Sequence, residues 1–400
     1  KESSAASDVY KRQQVYKLIS MPISVCYFTS KDDNDIRVFH KECVSLVKAG
    51  YDVTMVCPNA KCRIHQGVRI IGVEYNGKTE RERFIVLPKL LFKKALEVNA
   101  DIYQFNDPAS ISYGSKLKRM GKKVIFDAFE DHPSMWMNRG TGLKRLVYKF
   151  VGFVYKQYEM IKCKEFDAAI VCYHWTRDRF KKVNDNVELV LNFPLIDRDK
   201  VKERPLRTTN DIKICYAGTI SDAWNIPTLI NAIENLNDVK FNLAGWTDDE
   251  LMGRMKSLIG WEKVNYFGKL PKQEVNEKVY SHSDIGVALY HYSPLCKGKI
   301  GNMSNNKLFE YLLMGMPVIC TDFDLWKEVV EKNHCGICVN PSDANAIMEA
   351  IVYIQKNQKE AYQMGLNGQK AVLAEYNWDS QERILSVSYT HLRAHETSAH

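Results

Sequence analysis

The fold is decided between residues 304 and 320, which read SNNKLFEYLLMGMPVIC. The polar residues 304–306 have side chains that can accept the first free backbone N–H groups of a helix. Gly315 and Pro317 predict where that helix ends, because one favours a left-handed backbone and the other cannot continue a helix. The apolar run 318–320 then predicts a buried strand. The stretch is therefore predicted to form a short helix followed directly by a strand.

Two charged residues on this helix suggest a ligand. Glu310 lies beside Phe309 and Tyr311, in an otherwise apolar turn where a carboxylate needs a partner. Lys307 adds a cation near the helix N-terminus, which attracts phosphate through its free N–H groups. A diphosphate at the cap with a sugar hydroxyl at Glu310 would make a nucleotide-sugar site. The same residues also fit a capped helix whose Glu310 is merely solvated.

Strands alternate with helices on both sides of this stretch. Such alternation predicts an α/β protein with doubly wound parallel sheets. A polar, non-periodic segment at 196–211 separates two such regions and predicts a linker. The predicted strands are 23–28, 51–57, 68–75, 102–105, 123–127, 166–173 and 187–192 in the first region, and 212–218, 241–245, 264–268, 284–290 and 318–320 in the second.

The helix and strand at residues 306–319 resemble the donor-site signature of glycosyltransferase family 4, the glycosyl transferases group 1, in the branch that makes bacterial surface polysaccharides. The segment 32–54 is similar to the opening of the same branch, so the resemblance extends over residues 22–385. It implies the GT-B fold, in which two Rossmann-like doubly wound parallel-sheet domains face a cleft. The first domain is expected to bind the acceptor and the second the nucleotide-sugar.

The resemblance and the composition together predict where the domains, the linker and the tails of the chain begin and end. The closing helix is expected to return to the first domain, and the final residues resemble sequencing-adapter read-through. The predicted segments are a disordered tail at 1–20, the acceptor domain at 21–195, the linker at 196–211, the donor domain at 212–376, the closing helix at 377–387 and a non-native tail at 388–400.

The resemblance also implies which residues hold the donor. Glu310 corresponds to the family's ribose-binding Glu, whereas Asn302 stands where many members carry a second Glu that contacts the sugar. Relatives often have Arg and Lys just beyond the Gly218 loop, but this chain has Ala223, Trp224 and Asn225, so Lys297, Lys299 or Lys307 must supply any charge for the diphosphate. The expected donor-binding residues are Gly218, Thr219, Phe267, Gly268, Lys299, Asn306, Lys307 and Glu310.

Acidic loops at the predicted strand ends of the first domain suggest the acceptor side. Loops at the carboxyl ends of parallel strands are where ligands bind. Relatives usually show a His at the positions of Asn106 and Phe129, the second being the active-site His of that domain, and His132 could serve instead. The candidates for catalysis on this side are Asp107, Asp127, Glu130, Asp131 and His132.

The expected activity is that of a retaining glycosyltransferase of the hexosyltransferase type. It would move a sugar from a nucleotide-sugar to a glycan or lipid-linked acceptor in capsule, exopolysaccharide or O-antigen synthesis. No cofactor and no nucleic acid partner are expected. No metal ion is expected either, because helix N-termini and Lys can offset the charge of the departing diphosphate. Two alternatives remain open: a non-catalytic homologue that acts as a partner subunit, and a GT-B nucleotide-sugar epimerase.

Charge is distributed unevenly along the chain. Residues 1–200 hold 35 Lys and Arg against 24 Asp and Glu, whereas the remainder holds 21 against 24. A basic helix with aromatic residues is predicted at 142–164, and it fits either peripheral contact with an anionic membrane or packing on the sheet with one wet face. The polar first twenty residues and the scattered Cys predict a cytoplasmic protein, able to lie on the inner face of the cell membrane.

Overall fold

The computed structural model describes residues 22–397, which form two compact units. The first unit comprises residues 22–132, 153–190 and 382–397, and the second comprises residues 133–152 and 191–381. The predicted linker therefore groups with the second unit, as do residues 133–152 of the predicted first domain. The predicted disordered tail at 1–20 lies outside the described residues.

The first unit is built on a sheet of eight strands. These are β1 (Ser24–Phe28), β2 (Asp52–Pro58), β3 (Arg63–His65), β4 (Val68–Val73), β5 (Ile102–Phe105), β6 (Lys123–Ala128), β7 (Ala168–Val171) and β8 (Val187–Leu189). Their order is β3-β4-β2-β1-β5-β6-β7-β8, and only the β3–β4 pair is antiparallel. Apart from β3, the order runs outward from β1 in both directions, as in a doubly wound sheet.

The helices between residues 36 and 180 connect these strands. In α2, Thr79 and Glu82 form a reciprocal capping box, and Leu87, Leu91 and Ala95 face the core at helical spacing. The α-helices are α1 (Val44–Lys48), which continues the π-helical segment Ile36–Cys43, α2 (Glu80–Val98), α3 (Ile111–Arg119), α4 (His132–Met137), α5 (Gly142–Cys163) and α6 (His174–Phe180).

The second unit contains a fully parallel sheet of six strands. These are β9 (Ile212–Thr219), β10 (Val239–Trp246), β11 (Val264–Tyr266), β12 (Ile285–Ala288), β13 (Val318–Thr321) and β14 (Gly336–Val339). Their order, β11-β10-β9-β12-β13-β14, reverses direction between β9 and β12. A parallel sheet binds its ligands at the carboxyl ends of the strands around such a reversal.

Eight α-helices follow β9 in the described part of the chain, and the last of them extends into the first unit. Within residues 22–397, no helix is long and apolar enough to cross a membrane. The helices are α7 (Ile226–Ile233), α8 (Asp249–Lys256), α9 (Lys272–Glu274), α10 (Asn306–Leu313), α11 (Asp324–Lys332), α12 (Ala344–Lys356), α13 (Gln358–Ala374) and α14 (Trp378–Thr397).

Helix α10 is the helix predicted from residues 304–320. The side chain of Asn305 caps it by accepting a hydrogen bond from the Lys307 backbone N–H at 3.1 Å. Gly315 ends it with a φ of 67°, a conformation that favours glycine. Its buried face comprises Leu308, Phe309, Tyr311 and Leu312. Capping and apolar spacing thus act together to fix this helix.

Helix α14 is longer than the predicted closing helix, because it has no break at residue 387. Tyr389 is fully buried, lies near Tyr51 with ring centroids 5.3 Å apart, and donates a hydrogen bond to Gln104. This packing explains why the helix continues along the first unit. The prediction that residues 388–400 are non-native stays a prediction.

Candidate functional site

The second unit has a pocket of about 450 Å³ at the carboxyl ends of β9 and β10. It lies at the edge of the sheet where the strand order predicts a ligand. Its lining residues are Ala217, Gly218, Thr219, Ala244, Gly245, Trp246, Lys269, Leu270, Lys272, Val275, Tyr280, Asn306, Lys307 and Glu310.

Two glycines shape the floor of this pocket. Gly218 has a φ of 145°, and a Cβ added there would lie 2.5 Å from the Lys307 Nζ. Gly245 has a φ of 151°, and its Cβ would lie 1.9 Å from the Gly218 carbonyl oxygen. The positive φ at both positions favours glycine, and at Gly245 the backbone of Gly218 also occupies the space that a side chain would need.

Lys307 extends from the first turn of α10 over two aromatic rings. Its Nζ lies 4.5 Å from the Trp224 ring centroid and 5.3 Å from that of Tyr216. Burial lowers the pKa of Lys307 to about 8, against a smaller opposing effect of Glu310. The ammonium group is thus still mostly protonated at neutral pH. Cation–π contacts hold it in place without consuming its hydrogen-bond donors, which remain able to bind a phosphate.

Glu310 lies one turn further along α10 and is not simply solvated. Its Oε2 atom forms an ion pair with the Lys272 Nζ at 2.5 Å and accepts a hydrogen bond from the Tyr280 hydroxyl at 3.2 Å. Both contacts use Oε2, so Oε1 can accept hydrogen bonds from ligand hydroxyl groups. The carboxylate is therefore oriented by two protein groups while keeping capacity for a ligand.

Asn306 completes the helix end of the pocket. Its Oδ1 atom is buried and has no hydrogen-bond partner within residues 22–397. An unsatisfied buried acceptor costs roughly 1–3 kcal/mol, and a ligand N–H or O–H group would relieve that cost. The pocket thus offers, along one turn of α10, an amide, a cation and a carboxylate.

The structure brings together five of the eight predicted donor residues: Gly218, Thr219, Asn306, Lys307 and Glu310. Phe267 and Gly268 instead make backbone hydrogen bonds with Leu243 and Gly245, at 2.9 and 2.8 Å, and the pocket wall begins at the next residue. These two residues position the wall without forming it.

Lys299 and Asn302 also lie away from the pocket lining. Lys299 pairs with Asp322 at 2.9 Å. The Asn302 carbonyl oxygen accepts a hydrogen bond from the Trp326 indole at 2.8 Å, and its side chain accepts from the Ser304 backbone. Of the three Lys residues considered for the diphosphate, the one that lines the pocket is Lys307.

Sequence reasoning missed the partners of the two charged residues. Lys272 belongs to a short polar segment with no distinguishing pattern, and Tyr280 lies in an ordinary helical turn. Trp224 stands where relatives often carry a cation, yet its ring supports the Lys307 ammonium. No local signal identifies any of these contacts, because each partner comes from a different element.

In the first unit, Asp127 points into the interior. It accepts a hydrogen bond from Tyr27 at 2.7 Å and lies 3.4 Å from Arg37, which also pairs with Glu42 at 2.9 Å. All of these residues are buried. Burial raises the pKa of both carboxyl groups, against the lowering effect of the Arg37 charge. Asp127 therefore compensates the buried charge of Arg37.

The remaining acidic candidates lie closer to the strand ends. Asp107 follows β5 and accepts hydrogen bonds from the Ser30 backbone N–H, at 2.6 Å, and from the Ser30 hydroxyl. Burial raises the pKa of Asp107 despite these bonds. Ser30 follows β1, so this contact spans the point where the strand order of the first unit reverses.

Glu130, Asp131 and His132 follow β6. The His132 Nε2 lies 3.8 Å from Glu130, and burial lowers the pKa of His132 despite the attraction of nearby carboxylates. Asp131 accepts a hydrogen bond from the Trp175 indole at 2.8 Å. His132 can therefore act as a neutral base with Glu130 beside it, whereas Asp131 is held by the Trp175 indole.

Two neighbouring positions differ from the pattern expected of relatives. The side-chain oxygen and nitrogen of Asn106 are both buried without a partner in the described part of the chain. Phe129 lies against two cations, with Lys31 Nζ at 5.2 Å and Arg37 Cζ at 5.3 Å from its ring centroid. A ring that cannot carry a proton thus stands where a His is expected.

Comparison with known proteins agrees with this geometry. The family model of the glycosyl transferases group 1 matches residues 197–371, which include every residue lining the pocket. No curated protein sequence matches the chain. The matched residues all belong to the second unit, which is therefore similar to the glycosyl transferases group 1.

Solved structures resemble the chain over most of its length. A sucrose-phosphate synthase from Thermosynechococcus elongatus has a TM-score of 0.70 at 17% identity, covering 93% of this chain and 99% of that one. A glycosyltransferase from Rickettsia africae has a TM-score of 0.67 at 15% identity, with the same coverage. Anabaena HepE in complex with UDP-glucose has a TM-score of 0.65 at 11% identity, covering 92% and 99%. These similarities confirm the predicted GT-B fold with two Rossmann-like domains.

Proposed function

We propose that this protein is a retaining glycosyltransferase of the hexosyltransferase type. It transfers a sugar from a nucleotide-sugar to a glycan or lipid-linked acceptor, in the cytoplasm, during bacterial surface-polysaccharide synthesis. The pocket on α10 carries the proposal, because it combines a partly buried cation and a carboxylate with one oxygen available for a ligand at a helix N-terminus. The surface-polysaccharide role rests on the sequence resemblance.

The pocket fits the parts of a nucleotide-sugar donor. The diphosphate would lie against Lys307 and the start of α10, where the helix dipole and the ammonium offset its charge. The ribose hydroxyls would donate to Glu310, which Lys272 and Tyr280 hold in place. HepE is crystallised with UDP and with UDP-glucose, so UDP-sugars are the first donors to test.

The proposed reaction breaks the bond between the anomeric carbon and the diphosphate oxygen. The acceptor hydroxyl attacks on the face that the diphosphate leaves, its oxygen forms the new glycosidic bond, and its proton passes to the departing phosphate. Lys307 would stabilise the negative charge that develops on this leaving group. Glu130 and His132 in the first unit are the proposed acceptor-side residues.

A screen of sugar nucleotides tests the proposal. Titration calorimetry with UDP-, GDP-, ADP- and dTDP-sugars identifies the donor, and proton NMR of the donor follows its slow hydrolysis and the configuration of the released sugar. We expect one donor to bind and to be hydrolysed with retention of the anomeric configuration. Conversion of the donor into an epimeric sugar nucleotide would identify an epimerase instead.

A second candidate function is that of a non-catalytic partner subunit. It is favoured by Phe129, which cannot transfer a proton, and by Asn302, whose side chain bonds within its own loop. This candidate predicts that no sugar nucleotide is hydrolysed, with or without a broad mixture of glycan acceptors. Donor hydrolysis by the purified protein would eliminate it.

A further inference from the structure

Helix α5 exposes an apolar stripe along its whole length. Leu143 is 83% exposed and Phe150 is 68% exposed. The residues of this stripe recur at the three- and four-residue spacing that places side chains on one helix face. We define the α5 stripe as Leu143, Leu146, Val147, Phe150, Val154 and Ile161, all of which are exposed.

The opposite face of α5 is fixed to the protein. A Cβ added to Gly152 would lie 2.6 Å from the Met137 Cγ, so the helix packs closely there. Glu159 is buried and pairs with Arg179 at 2.6 Å, and Cys163 belongs to the core of the first unit. The helix is thus held on one face, and this anchoring keeps the α5 stripe pointing outward.

Basic residues flank the α5 stripe. Lys144, Arg145 and Lys149 are exposed. Glu159 is the sole acidic residue of the helix and is buried against Arg179. The exposed surface of α5 therefore combines large apolar side chains with uncompensated positive charge, as in helices that lie in a membrane interface.

We propose that the α5 stripe docks onto the surface of an anionic lipid bilayer. The apolar side chains would enter the boundary between headgroups and acyl chains, while Lys144, Arg145 and Lys149 pair with lipid phosphates. A second copy of this chain is a poorer occupant, because two cationic helices would repel each other. The proposal does not depend on sugar transfer, since lipid binding is measured without donor or acceptor.

Vesicle sedimentation tests this surface. Phosphatidylcholine vesicles with and without about 30% phosphatidylglycerol are compared at roughly 50 mM and 500 mM NaCl. The first variant combines K144Q, R145Q and K149Q, and we expect it to bind the anionic vesicles roughly a hundredfold more weakly at low salt. The matched control combines K213Q, K240Q and K256Q, which remove equal charge from exposed positions on β9, β10 and α8, outside α5, and should leave most binding intact.

A second pair of variants tests the apolar contact. Phe150→Trp should show a blue-shifted and stronger fluorescence on anionic vesicles, whereas Ile259→Trp, at an exposed position outside α5, should show no such change. Both positions are exposed, so each variant should unfold at the same temperature as the parent. Equal partitioning of the parent onto the two vesicle types, or an unchanged fluorescence spectrum of the Phe150→Trp variant, would overturn the proposal. So would a parent dimer that Phe150→Ser converts to a monomer, because a second copy would then cover the α5 stripe.

Discussion

The pocket of the second unit and the buried acidic cluster of the first unit, which comprises Asp127 and Glu42, lie at equivalent places in similar sheets. Their charged groups nevertheless have different partners. Each lies at the carboxyl ends of parallel strands near the reversal of strand order. In the pocket, Glu310 keeps one oxygen available and Lys307 is held by aromatic rings. In the cluster, Asp127 and Glu42 are enclosed with Arg37. A charged residue near the strand ends thus indicates a ligand site only when its contacts within the protein leave it able to bind a ligand.

The two sets of carboxylates differ in their contacts because they differ in their access to water. A buried carboxylate must be compensated within the protein, and the network around Arg37 supplies both the charge and the hydrogen bonds. A carboxylate beside a pocket is compensated partly by its neighbours and partly by water or ligand. Replacing residues of the first kind should therefore change stability, and replacing residues of the second kind should change affinity.

The largest expected effect is the loss of stability on Arg37→Met. This change leaves Glu42 and Asp127 buried without a cation, so we expect the free energy of unfolding to fall by about 3–5 kcal/mol. Urea denaturation followed by far-UV circular dichroism measures it. Arg177→Met is the matched control, because its guanidinium pairs with Asp178 near the surface at 2.9 Å and should contribute less than about 1 kcal/mol. An equal fall in the free energy of unfolding in the two variants would show that the buried Arg37 pairs contribute no more to stability than the surface pair of Arg177.

The next effect is a loss of nucleotide affinity on Glu310→Gln. The change keeps the side-chain shape but removes charge-assisted hydrogen bonds of about 1.5–3 kcal/mol, so the Kd for the nucleoside diphosphate should rise roughly tenfold to a hundredfold. Titration calorimetry measures it, and the unfolding temperature should remain within a few degrees of the parent.

Glu274→Gln is the matched control for this change. Glu274 pairs with Lys278 on the surface at 2.6 Å and does not line the pocket, so its replacement should leave the Kd unchanged. Should Glu310→Gln bind nucleotide as tightly as the parent while remaining folded, Glu310 would belong with the structural carboxylates, and the distinction between the two regions would fail.

The smallest effect is the pH dependence that Lys307 imposes. Because burial lowers its pKa to about 8, Lys307 loses its proton as the pH rises from about 7 to 9, and the Kd for a nucleoside diphosphate should rise roughly tenfold. The free energy of unfolding responds to pH in the opposite direction. Between about pH 8 and the ordinary lysine pKa of 10.5, the folded state binds fewer protons than the unfolded state, so stability rises with pH. The cost of burying the Lys307 charge is therefore full below about pH 8 and is relieved above it.

Calorimetry at about pH 7, 8 and 9 checks the binding effect, since these values bracket the pKa of Lys307. The Lys307→Met variant should bind the diphosphate more weakly and show no change of affinity across this range. The bare nucleoside should bind the parent protein equally at all three pH values, because it carries no phosphate for the ammonium to contact. A parent affinity for the diphosphate that stays constant across the same range would exclude Lys307 as its partner.

The sequence by itself determined the two parallel sheets and helix α10. Alternation of apolar strands with amphipathic helices specifies parallel sheets, and the capping residue Asn305 with the terminating Gly315 specifies α10. These signals are local, because capping, backbone conformation and the spacing of apolar side chains all act within a few residues. The placement of Lys307 and Glu310 on the first turns of that helix follows from the same local rules.

Only the tertiary structure decided which polar residues face a ligand. Asp127 and Glu310 look alike in the sequence, as carboxylates within apolar segments. One is enclosed by Arg37 and Tyr27, and the other is oriented by Lys272 and lines a pocket. The partners are distant in the chain, and the protonation and availability of a carboxylate depend on its solvation and on the charges around it. Those quantities exist only once the strands and helices have packed.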